Sequence, residues 1–260
     1  MKPIDLKGKT AVVTGGAGQL GRGIVRGLAQ CGANVAIAYY SQQVFAQTLA
    51  EEIMSEWGVK AIACRADITD AGSIATLKAC VNEELGPVDI VVNDAVVQYD
   101  WKSVLEQPLA DFDSQYKSCV LQAVLMAKAF VPDMMERRWG RIVAINTECA
   151  MQMFPSQSAY VAGKRGMDGV YRVLAREVGP YGITVNQVAP GWILTDDCRD
   201  TDGTERNIGQ DFAYVERVPL KRRGTEEDIA NAVCFFASDL AAFITGVYLP
   251  VSGGNVMPCI

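Results

Sequence analysis

Short β-branched runs alternate with segments of helical spacing along most of the chain, and this alternation constrains the fold more than any other feature. Strand-like runs lie at 10–14, 34–39, 59–63, 88–92, 141–145, 183–188 and 247–251, and helical spacing covers 20–30, 44–57, 71–85, 111–138, 159–178 and 226–237. The runs are nearly continuous in apolar residues, the pattern of strands buried on both faces. Such strands, separated by helix-length crossovers, build a parallel sheet with helices on either side. At 260 residues the chain is long for one unit, yet a continuous α/β sheet reaches this size, and no repeat or linker divides it. One domain over 1–260 is expected. A polar stretch at 195–217, with mixed charges and Gly203 and Gly209, reads either as a surface loop or as a substrate lid.

The chain has no histidine. Ser-His-Asp and Cys-His nucleophile pairs, His-ligated zinc and histidine bases are thereby excluded. Proton transfer near neutral pH falls to Tyr, Lys, Asp, Glu or Cys. The eight cysteines never stand closer than sixteen residues, so no C-x-x-C pair exists, and no metal site is expected. Runs such as Val-Cys-Phe-Phe at 233–236 suit reduced, buried thiols. The net charge of −6 argues against a phosphate-tracking nucleic-acid groove. The N-terminal segment lacks an apolar signal core, and no run of about eighteen apolar residues is free of charge. A reducing, cytoplasmic setting without a membrane span is the expectation.

Two motifs carry chemistry. The first strand runs into Thr14-Gly15-Gly16-Ala17-Gly18-Gln19-Leu20-Gly21 and then a helix. Glycines there permit a tight turn and let backbone approach a pyrophosphate at the helix N-terminus. The second motif is Tyr160-Val161-Ala162-Gly163-Lys164. On a helix, residues four apart share a face, so the ammonium approaches the phenol and favours its ionised form. A tuned phenol is a competent general acid or base where histidine is absent.

Further features stand in order around these two. Thr147 lies thirteen residues before Tyr160, and Asn186-Gln187-Val188-Ala189-Pro190-Gly191-Trp192-Ile193-Leu194-Thr195 follows the helix. With Asp67-Ile68, Asn93-Asp94-Ala95-Val96 and Val251-Ser252-Gly253-Gly254, the chain resembles the short-chain dehydrogenase/reductase family over nearly its whole length. The resemblance implies a Rossmann-type, doubly wound, seven-stranded parallel sheet and nicotinamide-dependent carbonyl/alcohol chemistry. It implies that Tyr160 exchanges the proton, Lys164 holds the nicotinamide ribose and lowers the phenol pKa, and Thr147 replaces the serine that orients the substrate oxygen. Gly15, Gly18, Gln19, Leu20 and Gly21 would form the phosphate turn, with Tyr39 and Ser41 near the adenosine ribose. Asp67 and Ile68 would meet the adenine, Asn93 and Ala95 the adenosine side, and Pro190, Gly191, Ile193 and Thr195 the carboxamide. The resemblance also implies a homotetramer, paired through helix 111–138 and the apolar tail after Gly246.

Four departures from the family pattern surround this site. Gln19 takes the place of the middle glycine of Thr-Gly-x3-Gly-x-Gly, and Asn-Asp-Ala-Val replaces Asn-Asn-Ala-Gly. Thr147 adds a methyl and a restricted rotamer to the serine position. Cys119 aligns with the helix asparagine that supports a relay water, so Cys119 is expected to give a straighter helix and a missing or shifted water. Slow turnover, a narrow substrate range or lost catalysis follow as possibilities to test.

Cofactor choice is read at the end of the second strand, where an acidic residue would bind a ribose 2′-OH and repel a 2′-phosphate. This chain has Tyr39 there, which favours NADP(H) over NAD(H). The stretch 36–41 is similar to NADPH-dependent ketose or polyol reductases, and next to 3-oxoacyl reductases. The expected function is an oxidoreductase interconverting a small ketone and a secondary alcohol. A non-catalytic dinucleotide sensor on the same scaffold is the alternative. The substrate side is expected at 195–217 and around Met151, Met153 and Phe154.

Overall fold

The structure, a computed structural model, describes residues 3–194 and 209–257. Among these residues, β1 (Thr10–Thr14), β2 (Asn34–Tyr39), β3 (Ala61–Arg65), β4 (Ile90–Asn93), β5 (Gly140–Ile145), β6 (Ile183–Pro190) and β7 (Tyr248–Val251) form one sheet. The order is β3-β2-β1-β4-β5-β6-β7 and every pair is parallel. Neighbouring side chains on a strand point to opposite faces, and each face has its own core. Val13 and Ile37 pack with Ile24 and Leu28 of α1 (Gln19–Gln30), Leu49 and Ile53 of α2 (Gln43–Trp57), and Phe236 of α9 (Glu226–Ala237). Val12 and Ala36 face the other way, toward Leu77 of α3 (Ala71–Glu84), Phe130 of α5 (Gln122–Arg137) and Tyr171 of α7 (Ser158–Val178). Burial on both faces explains why the strands read as unbroken apolar runs.

The expected seven-stranded, doubly wound sheet is the one found. β3 and β4 lie slightly C-terminal of the apolar runs at 59–63 and 88–92, because pairing decides their ends. Tyr39 pairs with Arg65 and Thr14 with Asn93, which draws polar residues into strands at the sheet's carboxyl edge. Strand order reverses between β1 and β4, opening a crevice beyond their carboxyl ends, where ligands of such sheets bind.

The expected helix 111–138 is divided. α4 (Leu109–Gln115) and α5 are joined by one wider, π-helical turn, Tyr116–Leu121. The run Leu109–Arg137 is apolar and long enough to cross a membrane by composition, but Ala123, Met126, Phe130 and Met134 are core residues. Two helices were not legible as such: α6 (Cys149–Gln152) and α8 (Gly209–Arg217). α8 falls in the polar stretch 195–217; residues 195–208 lie outside the described residues.

Helix N-termini differ in a way that matters for the site. Asp70 caps α3 through the Ser73 N–H at 2.6 Å, and Thr225 and Asp228 form a reciprocal capping box on α9. α1 is preceded by Gly18 at its N-cap position, with no side-chain cap and no acidic residue in its first turn. Its N–H groups and positive dipole end remain free to meet an anion.

Candidate active site

The glycine turn is fixed by contacts that only glycines allow. Gly15 has φ +68°, and a Cβ there would lie 3.0 Å from the backbone of Ala95. A Cβ on Gly21 would fall 2.1 Å from the Gly15 carbonyl oxygen, so α1 starts in contact with the turn. Thr14 Oγ1 accepts the N–H groups of Asp94 at 3.1 Å and Ala95 at 3.3 Å, joining the β1 and β4 ends. Gln19 is the first residue of α1, where an ordinary side chain is accommodated, and its Oε1 is buried without a partner.

A cleft of about 1090 Å³ runs over these strand ends. Of the residues singled out in the sequence, Gly15, Gly18, Gln19, Leu20, Tyr39, Ser41, Asp67, Ile68, Ala95, Thr147, Tyr160, Lys164, Pro190, Gly191 and Ile193 line it. Gly21 supports the turn from beneath. Thr195 lies outside the described residues. Asn93 does not line the cleft: it is buried, and its Nδ2 donates to the Tyr171 hydroxyl below the sheet's edge. β4 still runs through Asn93, so its side chain alternates into the core while Asp94 takes the cleft face.

At one end, Asp67 is held by Thr69, whose N–H and hydroxyl donate to its Oδ1 at 2.8 and 2.7 Å. Arg65, which the sequence reading overlooked, donates from Nε to the Tyr40 carbonyl at 3.3 Å and lies over the Tyr40 ring. A cation therefore stands beside the end of β2. Strand register, not proximity in sequence, brings it there.

At the other end, α7 presents Tyr160 and Lys164 one turn apart. Lys164 is buried, its Nζ donates to the Ile145 carbonyl at 2.6 Å, and it lies 5.7 Å from the Tyr160 ring centre. Asn146 Nδ2 donates to the Lys164 carbonyl at 3.1 Å and to Gln187 Oε1 at 2.8 Å, locking α7 against β5 and β6. Asn146 Oδ1 accepts the Thr147 N–H at 2.9 Å, which orients the loop carrying the hydroxyl. The Thr147 hydroxyl accepts the Cys149 N–H at 3.1 Å and lines the cleft with Tyr160. Tyr99 Oη accepts the Tyr160 N–H at 2.7 Å, and Trp101 stacks on the Tyr160 ring at 5.8 Å. Burial pushes the phenol above its ordinary pKa, Cys149 adds to this, and the nearby Thr147 hydroxyl opposes it. In this state the phenol is protonated and able to act as an acid; the expected lowering of its pKa by Lys164 is not found, because burial dominates.

Cys119 stands differently from expectation. It is buried beneath the cleft, within the π-helical turn Tyr116–Leu121, so a thiol here does not straighten the helix. The wider turn has other supports. With the Gln122 amide assigned the orientation that satisfies both its ends, its nitrogen donates to the Ser118 carbonyl at 3.0 Å and the Ala95 carbonyl at 2.9 Å, and Gln115 Nε2 donates to the Val97 carbonyl at 2.7 Å. A Cβ on Gly163 of α7 would lie 2.8 Å from the Gln115 carbonyl, so α7 presses closely on the same turn. Gln115 and Gln122 carried no signal in the sequence reading, and they take the structural role assigned there to residue 119.

The residues fit a dinucleotide. A glycine cradle closed to any Cβ, uncapped N–H groups at α1 and the buried amide of Gln19 lie at one part of the cleft, and Lys164, Tyr160 and Thr147 at another. Among the described residues no group of three metal-ligating side chains occurs. By class, a Rossmann-type sheet bearing this cleft is that of a nicotinamide-dependent oxidoreductase. Residues 15–255 match the family model described as Enoyl-(Acyl carrier protein) reductase, and the chain belongs to the short-chain dehydrogenase/reductase family. It is 35% identical to a 3-oxoacyl-[acyl-carrier-protein] reductase FabG of Pseudomonas aeruginosa, over 98% of this chain and all of that one. The corresponding Staphylococcus epidermidis protein is 33% identical over 96% of this chain and 99% of its own. Among solved structures, a putative gluconate dehydrogenase of Agrobacterium tumefaciens superposes with a TM-score of 0.89 at 28% identity, covering 98% of this chain and 99% of that one.

Proposed function

We propose that this protein is an NADP(H)-dependent oxidoreductase that interconverts a small ketone and a secondary alcohol, with Tyr160 as general acid and base. The observation that carries the reading is the convergence of the Thr147 hydroxyl, the Tyr160 phenol and the buried Lys164 ammonium on one cleft wall. The dinucleotide supplies or accepts the hydride when bound. Thr147 donates to the carbonyl oxygen and fixes it beside the phenol, and Tyr160 delivers its proton to that oxygen as negative charge develops. Lys164 holds ribose hydroxyls, and the Asn146 bonds keep its backbone in place. The relatives named as 3-oxoacyl reductases support reduction of a keto group. NADP(H) is favoured because Tyr39 replaces an acid and because Arg65 offers a cation at the β2 end. A thermal-shift titration of NADPH against NADH, followed by a carbonyl panel read by nicotinamide absorbance, tests this. The expected result is stabilisation by both with the larger shift from NADPH; stabilisation without turnover of any carbonyl would point to the sensor alternative.

Thr147→Ala is expected to lower kcat by about 10²-fold or more, whereas Thr147→Ser keeps or raises it, because an orienting donor acts through its hydroxyl. Equal activity in all three proteins would remove Thr147 from the mechanism.

We further propose a homotetramer in a reducing, cytoplasmic setting. Leu105 and Leu109 leading into the long helix are 94% and 85% exposed, and Phe243 near the tail is fully exposed. Exposed apolar side chains at these two places suit contacts between subunits. The six free thiols among the described residues suit a reducing compartment. Light scattering at micromolar protein is expected to give four subunits, and a monomer would refute the assembly.

A further inference from the structure

Asp94 is a carboxylate that the proposed mechanism does not use. It stands at the second position of Asn93-Asp94-Ala95-Val96, and it lines the cleft together with Ile145, Tyr160 and Lys164. Register places it. Asn93 pairs with Ala144, so the next residues along β4 and β5, Asp94 and Ile145, stand side by side, and the Ile145 carbonyl is the one that receives Lys164 Nζ. The Asp94 backbone is anchored through Thr14 Oγ1, while among the described residues no side chain hydrogen-bonds or ion-pairs with its carboxylate.

We propose that Asp94 is an electrostatic positioning residue: when ionised, it makes the cleft favour the oxidised, cationic nicotinamide over the reduced, neutral one. The inference rests on the dinucleotide reading above. A buried ammonium alone penalises a second cation nearby, and an ionised carboxylate lining the same cleft offsets that penalty. The reduced ring is uncharged and is nearly indifferent to either. Because carbonyl reduction leaves the ring cationic, ionised Asp94 weights the site toward reduction.

The charge is switched near neutrality. Burial pushes the Asp94 carboxyl up to about 7, with Lys164 pulling it down. The titratable groups that interact with it are Lys164 and Tyr160 on α7; Cys149 and Cys119 act on the same phenol, and Tyr99 lies on its own segment. Burial moves Tyr160, Cys149 and Tyr99 upward, away from this range. The chain has no histidine, and Cys31, also drawn to about 7, lies at the far end of α1 against Cys234.

The test compares dissociation constants of NADPH and NADP⁺ for the purified protein, measured by calorimetry at about pH 6 and about pH 8.5, in wild type and Asp94→Asn. A titrating 2′-phosphate is common to both ligands and cancels in their ratio. The expected result is that Kd(NADPH)/Kd(NADP⁺) rises about tenfold with pH in wild type, the size of one partly screened charge, and stays within about twofold in Asp94→Asn. A flat wild-type ratio, or an Asp94→Asn ratio that follows wild type, overturns the inference. Failure of both dinucleotides to bind at either pH removes the dinucleotide reading itself, and this inference with it. Should Asp94→Asn not fold, carbonyl-carbon NMR of aspartate-labelled wild type decides: one carboxyl titrating near 7 is expected, and none above about pH 5 overturns the proposal.

Discussion

Tyr160→Phe is expected to lower kcat by about 10³-fold while dinucleotide affinity stays within about threefold of wild type. The phenyl ring keeps its stacking on Trp101, and the backbone N–H of residue 160 keeps its bond to the Tyr99 hydroxyl, so the local fold survives. What disappears is the one proton held against the substrate oxygen. The chain has no histidine, and burial moves the nearby Cys149 and Tyr99 away from neutrality, so neither of these replaces it. Steady-state kinetics with calorimetric dinucleotide binding separates the two effects. Retention of more than about a tenth of wild-type kcat would sink the acid role. The pKa direction adds a sign. A phenol held above its ordinary value remains protonated through neutral and mildly alkaline pH, so loss of the Tyr160 proton should not limit carbonyl reduction there. Alcohol oxidation needs the phenolate and should rise with pH over the same range.

The sequence revealed those parts of the molecule whose physics is local. Period and composition gave the alternation of strands and helices, because strands buried on both faces must be apolar throughout. Gly15 and Gly21 were legible since a turn with positive φ and an atom-tight helix start admit few residues, and the four-residue spacing of Tyr160 and Lys164 put them on one helix face. The parts that stayed hidden depend on register and packing between distant segments. Arg65 reaches the β2 end only because β3 pairs with β2 as far as Tyr39. Asn146 looks like an unremarkable strand-end residue until its amide is seen bridging α7 and β6. Asn93 was placed in the cleft by motif, whereas strand alternation turns it into the core. The clearest correction is at Cys119. A single side chain does not decide the π-helical turn, which is supported from outside by Gln115, Gln122 and the glycine face of α7.

The tightest contact at the glycine turn yields the second large effect. Gly21→Ala places a methyl 2.1 Å from the Gly15 carbonyl oxygen and close to the Gly16 backbone at 2.8 Å. Both obstacles are main chain, so no rotamer change relieves them; α1 must move outward or the turn must open. Overpacking of this kind costs about 1–3 kcal/mol or more, and for a domain of this size each 1 kcal/mol lowers Tm by roughly 2–4 °C. Moving α1 also withdraws its uncapped N–H groups from the position where a pyrophosphate is to be met, so dinucleotide affinity should fall by more than about tenfold. Gly169→Ala in α7 is the control, since a methyl there meets nothing within 4 Å. An exposed helical glycine replaced by alanine should gain up to about 1 kcal/mol and leave binding unchanged. Differential scanning calorimetry and NADPH titration of both variants settle the comparison. If Gly21→Ala bound NADPH as wild type does and melted at the same temperature, the turn would not be the rigid cradle described, and the approach of α1 to Gly15 would have to be a relaxed contact.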